Sequence, residues 1–101
     1  MAYFVLRLNP PRPTFPFDAS ERELSLMGEH AEYWQGKTEV GTAIAVGPVF
    51  DPSGSWGLAL VEVDDAEAAE ALTYQDPIIR AEAGFTYEVL PVPSLLLRGG
   101  Q

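Results

Sequence analysis

The sequence predicts an α+β fold with four strands and two helices in the order β-α-β-β-α-β. Three observations point there. Ala2 to Leu8 alternates strictly, with Phe4, Leu6 and Leu8 on one face and Tyr3, Val5 and Arg7 on the other, which is the period of a strand. Ser20 and Glu23 form a Ser-x-x-Glu capping box ahead of a helical pattern. Two β-rich runs, Thr42 to Phe50 and Trp56 to Val63, flank an Asp-Pro-Ser-Gly turn at 51–54.

The elements follow in order. After the first strand, Asn9 to Phe17 holds Pro10, Pro11, Pro13 and Pro16, a stiff, extended loop in which prolines fix φ and withdraw donors. Loops of this length between a strand and a helix often line sites. The first helix is expected to run to about Thr38, with Leu24, Met27, Ala31 and Trp34 as its buried stripe. Asp18 with Glu21 offers a second capping register, and Gly41 closes the helix. Thr42 to Phe50 reads as a strand buried on both faces, with Gly47-Pro48 marking a bulge or a close backbone approach. Asp64 and Asp65 cap an alanine-rich helix from Ala66 to about Tyr74. Asp76, with Pro77 at the first helical position, starts a short further turn that ends at Gly84. Phe85 to Val92 is the last strand, and Pro91 and Pro93 place it at an edge. This order is the split βαβ, or ferredoxin-like, pattern of a four-stranded antiparallel sheet.

A length of 101 residues suits one compact domain, so residues 1–101 read as a single unit with 93–101 as a C-terminal tail. In that tail Leu95, Leu96 and Leu97 are expected to dock on a partner subunit or near a cleft, and Gly99 to Gln101 to be mobile. Six basic residues against fifteen acidic ones give a net charge of −9, which argues against nucleic acid and anionic membranes as partners. No run is long and apolar enough for a membrane span, and the N-terminus lacks the form of a signal peptide, so a cytoplasmic location is expected. There is no cysteine, which excludes disulfides and thiolate metal sites.

Two helices can cover only one face of such a sheet. Yet Ile44 and Ala45, Leu58 and Ala59, Leu60 and Val61 put apolar side chains on both faces of what read as middle strands. A lone chain would leave a large apolar patch in water. The expected cover is the same face of a second copy, a homodimer through the sheet faces.

No phosphate-binding or dinucleotide-binding glycine loop is present. Gly54-Ser55-Trp56-Gly57 falls short of a nucleophile elbow in spacing and lies on a hairpin. One histidine and no cysteine make a metal site improbable, and no cofactor is expected. His30 is the single side chain whose ordinary pKa lies near neutrality. Its spacing from Met27 and Trp34 puts it beside the helix stripe, as either a border histidine with a local hydrogen bond or a general base. Asp76 is either an ordinary cap or that histidine's partner. Arg12 is the one cation in the proline-rich loop, solvated or else an anion holder, and Tyr33 is either rim packing or a ligand platform.

Read in order, Pro11-Arg12-Pro13-Thr14-Phe15, Met27-Gly28-Glu29-His30-Ala31-Glu32-Tyr33, Gly47-Pro48-Val49, Gln75-Asp76-Pro77 and Tyr87-Glu88-Val89 resemble the YCII-related (YciI-like) family over nearly the whole chain. The resemblance implies a ferredoxin-like domain that dimerises into an α/β barrel, with an active site built from His30 and Asp76. One branch of the family resembles a dehydrochlorinase of chlorinated hydroxyquinones, and relatives with the same barrel include muconolactone isomerases and aromatic-polyketide enzymes. The proline-rich loop sets this chain apart from shorter members. The function expected is a cofactor-independent lyase or isomerase acting on a small organic molecule in a cleft beside the sheet. His30 would serve as general base or acid, Asp76 would orient it, and Arg12 and Tyr33 would contact substrate. The alternative is a non-catalytic dimer that binds a small ligand or a partner protein. The two readings differ on whether His30 opens to a pocket and reaches Asp76.

Overall fold

The computed structural model describes residues 1–100. Its elements are β1 (Ala2–Asn9), α1 (Glu21–Glu39), β2 (Ala43–Val49), β3 (Trp56–Val63), α2 (Ala66–Gln75), α3 (Pro77–Arg80) and β4 (Thr86–Val92). The strands form one antiparallel sheet in the order β2-β3-β1-β4, so the expected α+β, ferredoxin-like arrangement stands. Among the described residues no helix is long and apolar enough to cross a membrane.

The local signals act as their chemistry requires. Ser20 caps α1 through the full capping box: its hydroxyl accepts from Glu23 N at 3.1 Å, and the Glu23 carboxylate accepts from Ser20 N at 2.9 Å. Asp65 caps α2, accepting from Ala68 N at 2.9 Å. Gly41, at φ 85°, takes the left-handed turn after α1 that a side chain would resist.

The pairing sorts the strand residues by face. Phe4, Leu6 and Leu8 of β1 lie opposite Val61, Ala59 and Gly57 of β3, and this face is buried beneath the helices. Phe4, Leu6, Val61 and Trp34 centre one apolar cluster under α1 and α2. Leu8, Phe15, Leu26, Ile78 and Phe85 make a second, where the proline-rich loop meets α3. Val5, Leu58, Leu60 and Leu90 share the other face, which no element covers.

Four expectations need correction. β2 is an edge strand and not a middle one, and most of its residues are exposed instead of buried on both faces. Its run of small and β-branched residues suits a covered strand equally well, and composition carries no signal of sheet order. The register shift in β2 falls between Ala43 and Ala45, whereas Gly47 and Pro48 pair regularly with Leu58 and Gly57. Pro48 is tolerated there because an edge strand has one side free of ladder bonds. The inward face of α1 runs through Leu26, His30, Tyr33 and Trp34, and Leu24 and Ala31 are exposed. Both registers fit a 3.6-residue period and share Trp34, and inward hydrogen-bond partners for His30 and Tyr33 select the second.

The tail after Val92 forms no strand or helix, and Leu96 is fully exposed while Leu95 and Leu97 are half-buried. The mobility expected of Gly99 to Gln101 falls partly on Gln101, which lies outside the described residues.

Candidate functional site

A cleft of about 390 Å³ opens between α1 and the β2–β3 side of the sheet. It lies where α1 packs against the β2 side of the sheet while α2 packs on β1, β3 and β4. Phe15 and Pro16 of the proline-rich loop close one end. Met27, Ala31 and Thr38 of α1 form one wall, Val46 and Pro48 of β2 the other, with Leu6 and Ala59 as floor. Of the stripe expected to be core, Trp34 is buried as expected, Leu24 is exposed, and Met27 and Ala31 line this opening.

His30 stands in the cleft wall with its side chain 12% exposed. Its Nδ1 lies 2.7 Å from Oδ2 of Asp76, a residue with no exposed surface. The same oxygen accepts from the Tyr87 hydroxyl at 2.6 Å and from Trp34 Nε1 at 3.1 Å, and Trp34 Nε1 is also 3.0 Å from the Tyr87 oxygen. Oδ1 of Asp76 accepts from Ile78 N at 3.0 Å, capping α3. The two roles weighed for Asp76 thus coexist, one on each oxygen. Local sequence builds this: Pro77 starts the turn and holds the cap, which aims the second oxygen back toward α1.

The electrostatics follow from these contacts. Burial pushes the Asp76 carboxyl up, but donors from His30 and Tyr87, with the neighbouring imidazole, outweigh it and hold the group below the usual carboxylate value. Asp76 is therefore an anion at neutral pH. Burial and then the Asp76 charge raise Tyr87 well above the usual phenol value, so it stays a neutral donor. Tyr33 is pushed up to about 12 for the same two reasons. A carboxylate can only accept, so Nδ1 of His30 must carry a proton. In the neutral imidazole that leaves Nε2 as a lone-pair acceptor, and Nε2 makes no hydrogen bond to the described residues.

The other two sequence candidates lie elsewhere. Arg12 holds Glu23 in a two-pronged pair at 2.7 and 2.8 Å and reaches Asp18 at 3.0 Å, outside the lining of the His30 cleft. Its guanidinium holds Glu23 down to about 2 and Asp18 below the usual range. Tyr33 donates to Leu72 O at 2.7 Å, and Lys37 lies 5.3 Å over its ring. The structure brings His30 and Asp76 together and leaves Arg12 and Tyr33 outside the cleft lining. Sequence reasoning assigned no site role to Trp34 or Tyr87. Trp34 read as core, and Tyr87 sits in a strand 53 residues from Trp34, a separation no local pattern bridges. Among the described residues no group of three or more His, Cys, Asp or Glu is placed to hold a metal ion.

Compared with known families, residues 1–93 match the model of the YCII-related domain. No curated protein matches the chain.

Proposed function

The chain belongs to the YCII-related family, and from that premise we propose that it is a cofactor-independent enzyme of the lyase or isomerase type, a single domain over 1–101 acting as a homodimer on a small organic molecule. One observation carries the reading: the only histidine is pinned through Nδ1 to a buried carboxylate while its other nitrogen is left free at a ligand-sized cleft. Such pinning selects one tautomer and stabilises the imidazolium formed when Nε2 takes a proton. Nε2 would remove a proton from an acidic carbon of the bound molecule. Returning it at another carbon is isomerisation; loss of a leaving group from the neighbouring carbon, with the electron pair forming the new double bond, is elimination. Trp34 and Tyr87 would act as positioning residues that keep Asp76 charged and fixed. Arg12 is already matched by two carboxylates, so it serves the loop and the start of α1, not the ligand.

The dimer is supported by the uncovered apolar side chains Val5, Leu58, Leu60 and Leu90, and by the fully exposed Leu96. Each chain in this reading keeps its own cleft on the helix side of the sheet.

The test is turnover of a panel of ring compounds that carry an acidic carbon, with wild type, His30→Ala and Asp76→Asn. His30→Ala should lose on the order of 10²–10⁴-fold in rate, the usual worth of positioned acid–base catalysis. Equal turnover by wild type and His30→Ala would end the proposal.

A further inference from the structure

The cleft carries information about its ligand beyond the presence of a base. We infer that it takes an uncharged, largely apolar molecule of at least two rings that presents its proton donor, a hydroxyl or the acidic carbon, to His30 Nε2; this rests on the reading of His30 given above.

Charge is the first argument. No Asp, Glu, Lys or Arg is among the described residues that line the cleft. Of the chain's six cations, four are committed elsewhere. Arg12 is paired with Glu23 and Asp18, and Arg22 donates to Ala81 O. Lys37 lies over Tyr33, and Arg7, on the uncovered face of the sheet, lies over Trp56 and bonds Asn9. A carboxylate or phosphate entering the cleft would lose its water and meet no Lys or Arg, beside an ionised Asp76 and within a chain of net charge −9. An amine fares no better. Asp76 has no exposed surface, and its accepting oxygens already hold four donors, so the amine would find no counter-ion.

Shape and polarity are the second argument. Phe15, Trp34, Phe50, Phe85 and Met27 surround the space, which suits flat rings and a polarisable sulfur contact. A volume of about 390 Å³ lies in the range of sites that enclose a multi-ring ligand. Polar groups at the lining are few, and three of them are engaged: Thr38 donates to Gln35 O, Gln35 Nε2 donates to Glu39, and Tyr87 donates to Asp76. His30 Nε2 has no partner among the described residues, so a ligand hydroxyl can donate to it.

Three probes of one shape test this: 2-naphthol, 2-naphthoate and 2-(aminomethyl)naphthalene at neutral pH, which differ in charge. Binding is read by calorimetry, and its place by the proton signals of the His30 ring, the only imidazole in the chain. Naphthol should bind and shift His30, and each charged probe should bind on the order of tenfold or more weaker. Gln35→Lys, an exposed position at the cleft wall, should raise naphthoate affinity by supplying the missing cation. If naphthoate or the amine binds wild type as tightly as naphthol while shifting His30, the uncharged class is overturned and the ligand site survives. If no probe shifts His30, both the inference and the reading of the cleft as a ligand site fail.

Discussion

Asp76 is a single carboxylate that serves two partners at once, and the residue scale shows the consequence. Its Oδ1 caps α3 and its Oδ2 holds His30, Trp34 and Tyr87. Asparagine would keep the cap but turn an amide N–H₂ toward three donors. Asp76→Asn should therefore cost on the order of 1–3 kcal/mol in urea unfolding, although asparagine ordinarily caps as well as aspartate. Because the folded pKa of Asp76 lies below its ordinary value, its ionisation stabilises the fold above about pH 4 and that contribution is lost as pH falls further. The stability gap between wild type and Asp76→Asn should be full at pH 7 and narrow below about pH 4. A gap that does not change with pH would show that the charge plays no part.

At the scale of elements, the register of α1 reverses the expected order of two leucines, since the stripe read from the sequence included Leu24 and not Leu26. Leu26 is buried in the cluster under α3, and Leu24 is 58% exposed. Leu26→Ala should cost about 2–5 kcal/mol by thermal or urea melts, while Leu24→Ala should stay within about 0.5 kcal/mol. Equal effects would put the helix in the other register. The loop before α1 is tied down by the Arg12–Glu23 pair, whose guanidinium holds Glu23 down to about 2, below its ordinary 4.5. Its contribution is complete above about 4.5 and disappears as pH falls toward 2. Melts of wild type and Glu23→Gln should converge across that interval, and parallel curves would count against the clamp.

For the whole molecule, the uncovered sheet face is the surface through which the proposed homodimer would form. Two chains at −9 each bring −18 together, so apolar contact must outweigh repulsion that salt softens over about 8 Å. Ala59 points into the core and Leu60 onto the open face, which makes Leu60 the informative position. Leu60→Glu should convert a dimer to a monomer in light scattering while leaving the far-ultraviolet circular dichroism unchanged. A wild-type chain that stays monomeric at micromolar concentration would end the dimer proposal.

The sequence by itself determined the element order, the caps at Ser20, Asp65 and Asp76, the turn at Asp51–Gly54 and the edge position of the last strand. Each depends on residues within a few positions of one another, where backbone stereochemistry and local hydrogen bonds act. His30 and Asp76 stood out as candidates because the chain has one histidine and an Asp-Pro pair, and the family resemblance joined them. Tertiary structure alone decided that β2 lies at an edge, which face of α1 turns inward, that Arg12 is spent on Glu23, and that Trp34 and Tyr87 share an oxygen with His30. Those outcomes depend on contacts between residues tens of positions apart. A hydrophobic period admits two helix registers, and what separates them is which one gives buried polar atoms their partners.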